Sequence, residues 1–465
     1  MLKAGFATRL GLGKSKRMAA LLLRPWTGVA GGRMSHAVTA PFDPASPSSP
    51  DVRRRAFRLL FVCLMATAVG NSMLFAILPP LARELEVAEV WVGAIYTISA
   101  LLFLLMSPVW GALSDRWGRK PLITLGLSAF SFSCLVFAAG AWAGQQAILP
   151  PMAAIFAMAL ARCLFGGLGS ATNPSAQAYV ADRTSPQERT EALAGLTAAF
   201  GLGSVIGPAL AAAFSERIGV AAFMALVAVL VGIAAVSVNR YLPEKTPPKR
   251  QGRPINPLVQ FKFAADPRLT AFMLFGCALW LSQAASLQAL SFYVMDRLDK
   301  TPSEGLQLAG VALTAGAAAL VFAQLVVIPA LKTSPRVLMA LGAGLVIIGN
   351  VEMVFAGNYA AIVLGYIFNS FGFGLARSGF TAGASLAVNT DEQGRAAGLT
   401  TATAGLGFLI APVTGLWLYQ AVTPSAPFLL NAVLAVVALL LALLHPRVRA
   451  AAATLQRDED EGPVV

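Results

Sequence analysis

Long apolar runs without a single charge alternate with short charged stretches along most of this chain. The charge-free windows are Leu59–Ala82, Val90–Ser114, Pro121–Ala161, Ala192–Ser215, Ile218–Asn239, Leu269–Met295, Gly305–Leu331 and Ala396–Pro446. A helix that crosses the hydrocarbon core of a bilayer needs about 20 apolar residues. The windows of 41 and 51 residues therefore each hold two crossings. The spacing predicts twelve helices, near 57–79, 90–113, 121–141, 147–170, 192–214, 219–240, 269–294, 306–330, 337–357, 359–382, 397–420 and 426–444. A membrane β-barrel would instead show alternating segments of about 10 residues. The fold class expected is an all-α membrane protein.

Composition narrows the class further. The chain of 465 residues is 57% hydrophobic and 12% charged, against roughly 25% charge in an average soluble domain. That excludes a soluble enzyme, a secreted domain and a disordered protein. The net charge of +13 raises the question of nucleic acid, but the cations are sided. With a cytoplasmic N-terminus, 29 Lys and Arg fall on the cytoplasmic side and 4 outside, leaving Arg162 and Arg377 within the membrane. Setting aside the 7 cations of residues 1–40 still leaves 22 against 4. This is the positive-inside pattern. It predicts a multi-pass protein of an inner or plasma membrane with both termini cytoplasmic. Its partner is the lipid bilayer, and no nucleic acid is required.

Residues 1–56 form a basic tail expected to be disordered and cytoplasmic. An Arg-rich, acid-poor start also imitates an organelle transit peptide, and Met34 offers an alternative start. Residues 57–240 hold six helices, 241–268 form a cytoplasmic linker rich in Pro and basic residues, 269–445 hold six more, and 446–465 form a cytoplasmic tail. The halves repeat weakly: Gly201, Gly203 and Pro208 match Gly405, Gly407 and Pro412 at a constant offset of 204, and LITLG ending at Gly126 pairs with LMALG ending at Gly342. Parallel repeats of this kind mark one class of secondary transporter. They predict two pseudo-symmetric six-helix bundles.

Three patterns carry chemistry. GALSDRWGRK, Gly111 to Lys120, lies between the second and third helices. Gly111 permits close helix approach, Gly118 suits a tight turn, and Asp115 can pair with Arg116 or Arg119 or cap a helix. Arg162 lies mid-span in ARCLFGGLGSA of the fourth helix. A charge there is costly and must meet polar partners, as a structural residue or as a proton relay or substrate contact. In the fifth helix Gly195, Gly203, Gly207 and Pro208 combine small-residue packing with a proline that frees a carbonyl.

The first string resembles the loop signature of the major facilitator superfamily. The resemblance spans nearly all of residues 57–445. It implies that Gly111, Asp115, Arg116, Gly118 and Arg119 gate the cytoplasmic side, locking the halves in the outward-open state. The Arg162 segment is similar to a motif frequent in proton-coupled members. GLGSVIGPALAA is similar to the motif of drug–proton exchangers, with Ala211 and Ala212 where that motif prefers glycines. The stretch Ala161–Phe214 resembles the tetracycline-type branch, as do the loops VADRTSPQER, with Asp182 and Arg189, and DEQGRAAG. That branch typically carries acids in the first and third helices. Here the first helix has Asn71 and the third has none.

Glu352, in the ninth helix, is the one carboxylate inside an expected span. It is either a solvated interfacial acid or the proton carrier. Arg377 either neutralises an acid, contacts substrate, or snorkels to the surface. Candidates to line a cavity are Asn71, Phe75, Tyr96, Trp280, Gln283, Gln288, Phe292, Gln324, Asn350, Asn369 and Phe373. The cysteines Cys63, Cys134, Cys163 and Cys277 lie in apolar windows, and both histidines lie outside the spans. No metal site or cofactor is expected, and no catalytic set for an enzyme. The reading is a monomeric proton-coupled exporter of small lipophilic or amphiphilic compounds. The alternative is an importer or uniporter of a small metabolite such as a sugar or organic acid.

Overall fold

A computed structural model describes residues 50–184, 186–244, 266–331, 333–389 and 392–448. The expected N-terminal tail, most of the linker and the end of the C-terminal tail lie outside the described residues, as do the side chains of Asp115 and Arg189. Twelve helices are long and apolar enough to cross a membrane. In chain order they are α1 Asp51–Glu84, α2 Glu89–Ser114, α3 Arg119–Gln145, α4 Pro151–Ala181, α5 Gly195–Ile218 and α6 Val220–Tyr241 in the first half. The second half holds α7 Pro267–Leu298, α8 Pro302–Leu331, α9 Pro335–Phe355, α10 Tyr359–Leu386, α11 Gly398–Ala421 and α12 Ala426–Leu444.

Local chemistry sets several ends. The Asp266 carboxylate accepts from the Arg268 backbone N–H at 2.8 Å at the start of α7, a bond that satisfies one orphan donor of the first turn. Thr301 and Glu304 form a capping box on α8. Gly118 turns the chain between α2 and α3 at φ +94°, a conformation that a side chain disfavours.

Two helices run further than hydropathy implied. Pro79 and Pro80 lie inside the outer part of α1, which resumes at Leu74 after a turn at Met73. Pro79 has no N–H for the carbonyl of Phe75. That carbonyl instead accepts from Ser291 Oγ of α7 at 2.9 Å, so the helix continues with the group satisfied. In α4 the apolar stretch ends near Gly167, a single tighter turn spans Gly169–Ala171, and the helix goes on as the more polar Thr172–Ala181.

The packing is two-fold. In the first half α1 packs on α5 and α6, α3 on α4 and α6, and α2 on α4; in the second, six helices on, α7 packs on α11 and α12, α9 on α10 and α12, and α8 on α10. The halves meet along α2 against α11 and α5 against α8, a pair of seams related by the same repeat. Both seams are backbone-close. A methyl on Gly93 would lie 2.6 Å from the carbonyl oxygen of Pro412, and one on Gly310 2.9 Å from that of Pro208.

Candidate functional site

In the first half the buried chemistry centres on Arg162 of α4, 5% exposed. Its Nη2 donates to Asn71 Oδ1 of α1 at 3.0 Å, and its Cζ lies 4.4 Å from the centre of the Phe165 ring. Nε and Nη1 are buried without a hydrogen-bond acceptor. A buried guanidinium lacking a counter-charge is costly. Phe165 packs on Phe130 with ring centres 4.6 Å apart, and Phe75 stacks on Tyr96 at 5.1 Å. The Tyr96 hydroxyl donates to the carbonyl of Leu74.

The second half builds a different polar interior. Asn431 Nδ2 donates to Ser286 Oγ, Ser286 Oγ to Asn350 Oδ1, Asn350 Nδ2 to Asn369 Oδ1 at 2.8 Å, and Asn369 Nδ2 to Gln283 Oε1 at 3.3 Å. This chain of neutral groups crosses α12, α7, α9 and α10, all of it buried. Nearby Trp280 meets Phe373 edge-on with centres 4.9 Å apart, and Arg377 lies over Trp280 at 5.2 Å. Arg377 makes no ion pair among the described residues. Gln288 is buried with both amide atoms unpartnered.

The expected helix-5 glycines do press on α1. A methyl on Gly203 would lie 2.7 Å from the carbonyl oxygen of Met65, and one on Gly207 2.5 Å from that of Val69. Ser72 Oγ donates to the carbonyl oxygen of Gly203 at 3.0 Å. Pro208 sits within α5 beside Gly310 of α8. Gly407 of α11 repeats the close approach, 2.7 Å from the backbone carbon of Trp280.

The charged loop at Gly118 binds its own half. Arg119 Nε pairs with Asp182 Oδ2 at 3.0 Å, and the Lys120 backbone N–H donates to Glu244 Oε2 at 2.6 Å. Arg116 is exposed, and Gly111 faces Pro174 at an ordinary 3.8 Å. The corresponding loop of the second half also reaches its own last helix: Arg336 donates to the carbonyls of Ala442 and Leu443 at the end of α12. Glu352 lies three residues before the end of α9, half-buried against Gly365. It makes no hydrogen bond or ion pair among the described residues, so nothing joins it to Arg162.

Sequence reasoning missed a polar cluster on the face opposite Gly118. Arg83 at the end of α1 pairs with Glu89 of α2 at 2.5 Å and with Asp296 of α7 at 2.8 Å. Tyr419 donates to Asp296 at 2.5 Å, and Gln420 of α11 donates to Glu89. Gln307 of α8 donates to Glu216 of α5. These bonds close the halves on that face. Each residue sits at a helix end, where a charge reads as ordinary interfacial solvation. Ser286 and Asn431 were missed for a similar reason: one small polar group in an apolar helix carries no pattern.

The comparisons agree with this architecture. The Tetracycline resistance protein, class B, of Escherichia coli is 30% identical over 154 residues, 32% of this chain and 35% of that protein. The chain thus spans about a third of that relative's length. Multidrug resistance protein 1 of Bacillus subtilis (strain 168) is 24% identical over 368 residues, 78% of this chain and 89% of that protein. A bacterial homologue of the human lysosomal transporter Spinster, in an inward-facing and occupied conformation, superposes with a TM-score of 0.64 over 87% of this chain and 96% of its own, at 14% identity. The family described as the Major Facilitator Superfamily matches residues 60–349 and 305–465. With twelve spanning helices in two repeated halves and a family match over nearly the whole membrane region, this chain belongs to the Major Facilitator Superfamily of membrane transporters.

Proposed function

We propose that this transporter exports small lipophilic or amphiphilic compounds in exchange for protons. The observation that carries the reading is the character of its interior. Arg162 lies over Phe165 and Arg377 over Trp280, with Phe75 stacked on Tyr96 in one half and Phe373 against Trp280 in the other. Such walls suit an amphiphile better than a polyhydroxylated sugar. The backbone-close packing of Gly203 and Gly207 on α1 and the name of the Bacillus relative support the same reading. The Gly118 face and both termini are cytoplasmic in this scheme, which the sidedness of the basic residues supports. Gly111, Asp115, Arg116, Gly118 and Arg119 then form the cytoplasmic gate. The passage lies within one chain, so a monomer suffices.

Alternating access needs two states that the substrate and the coupling ion bias differently. Glu352 is the proton carrier in this scheme, as a carboxylate inside a span without a fixed cationic partner. In proteoliposomes with an imposed pH gradient, the wild type pumps a fluorescent lipophile uphill. Glu352→Gln is expected to stop uphill movement and keep downhill exchange. Unchanged uphill pumping by Glu352→Gln refutes that assignment. Gradient-independent equilibration by the wild type refutes proton coupling and favours a uniporter.

A further inference from the structure

We infer that the interior seats the anionic head of its substrate on Arg162 and Asn71, so that the transported class is amphiphilic monoanions such as aromatic or aliphatic carboxylates. The inference rests on the reading of the chain as an exporter of amphiphiles, and it names the head group.

The starting point is a charge without a counter-charge. A guanidinium has five N–H donors and no acceptor. In Arg162 one of them meets Asn71, while Nε and Nη1 meet nothing. The groups that face it electrostatically are the Tyr96 hydroxyl and the Cys134 and Cys163 thiols. None of these is a carboxylate, and no described acid pairs with Arg162. The neutral partner is telling. Asn71 has the shape of an aspartate and would complete an internal ion pair if it were one. As an amide it instead accepts one N–H through Oδ1 and keeps its own Nδ2 donors, which can serve a second oxygen.

The surroundings give the rest of the ligand. Asn71 and Phe75 are half-buried, whereas Tyr96, Phe130 and Phe165 are buried around the guanidinium. The charged fork is therefore enclosed by aromatic rings, and Asn71 and Phe75 are the partly exposed groups beside it. Across the interior, Arg377 over Trp280 adds a second cation without an ion-pair partner among the described residues. A fixed positive field in a low-dielectric interior favours an anion and penalises a cation of the same shape. A carboxylate head offers two oxygens to the unmet N–H groups in the fork geometry that arginine prefers.

Three probes that share one ring system test this: 4-(1-pyrenyl)butyrate, its amide, and 4-(1-pyrenyl)butylammonium. Binding to the purified full chain is read by energy transfer from tryptophan to pyrene. The butyrate should bind about tenfold or more tighter than the amide, and the ammonium weakest. Arg162→Gln should weaken the butyrate about thirtyfold and leave the amide unchanged. Asn71→Asp supplies the missing carboxylate from the chain itself. It should lose the butyrate preference while unfolding at or above the wild-type temperature, which separates lost recognition from lost folding. Equal binding of all three probes overturns the inference, as does unchanged butyrate binding in both variants. Displacement of the butyrate by chloride alone at equal concentration also overturns it, since the seat would then take a bare ion. Uphill pumping of the ammonium with no butyrate binding sinks the anion seat and leaves the exporter reading standing. Selective butyrate binding with no pumping of any probe does the reverse.

Discussion

The two halves place different chemistry at one structural position. Gly203 of α5 presses on α1 at Ala68, and Gly407 of α11 presses on α7 at Trp280. Three residues further along those helices stand Asn71 and Gln283. On the partner helices, Ala153-Ala154-Ile155 of α4 matches Ala360-Ala361-Ile362 of α10, and the same register sets Arg162 against Asn369. Arg162 donates to Asn71, and Asn369 donates to Gln283. One scaffold thus carries a charge with unmet donors in the first half and a neutral chain of amides in the second. A satisfied buried network rigidifies the elements it joins, whereas an unsatisfied one is a standing demand for a partner. In the proposed scheme the first half recognises substrate at this level, and the amide chain of the second holds α7, α9, α10 and α12 in register.

The largest expected effect lies on the charged side. Arg162→Ala should lower transport about 100-fold or more, the scale expected when one partner of a buried charge contact is removed. Arg162→Lys, which keeps the charge and loses the planar fork, should retain part of the activity. A normal transport rate for the alanine variant would end the distinction between the halves. On the neutral side, Asn369→Ala strips partners from Gln283 Oε1 and Asn350 Nδ2. The cost should be about 1–3 kcal/mol of stability, since Gln283 Oε1 is left unpaired while Asn350 Nδ2 keeps its bond to the Val346 carbonyl. The measurement is the unfolding temperature in detergent beside the binding preference of the surviving folded protein. Loss of preference at unchanged stability would mean that the amide chain, too, reads substrate.

The smallest effect belongs to the seam between the halves. Asp296→Asn leaves Arg83 with Glu89 alone on the far face. Both members of the Arg83–Asp296 pair are about a third exposed, and such pairs are worth about 0.2–1 kcal/mol. Spin labels on Leu85 and Lys300 should report a far-open population raised by up to about fivefold. No change in that distribution would mean that the cluster does not hold the halves closed on that face.

Much of this was legible in the chain. The twelve spans followed from apolar length, the turn at Gly118 from its glycine, and Arg162 from the cost of a charge in lipid. The misjudged ends have local causes. Pro79-Pro80 reads as a stop unless the carbonyl of Phe75 finds another donor, and that donor, Ser291, is 216 residues away. Thr172–Ala181 continues α4 with too little hydropathy to register. The far-face cluster was illegible for a related reason. Arg83, Glu89, Asp296 and Tyr419 are unremarkable helix-end residues until α1, α2, α7 and α11 bring them together. That Arg162 would find an amide and no acid was half-visible: the missing carboxylate of the first helix could be read, but not that nothing else replaces it.

The unpaired guanidinium also has an electrical meaning. A charge carried across the whole membrane voltage exchanges about 2.3 kcal/mol with it per 100 mV, and a charge that a rocking half displaces part-way exchanges a proportionate share. Arg162 is such a charge while the seat is empty, and with a monoanion beside it the moving unit is close to neutral. At this site the membrane potential then acts on the return step, made with the seat empty and the proton aboard, more than on the loaded step. Voltage in such a carrier biases which way the empty seat faces, and leaves the contacts that hold cargo in the seat unchanged.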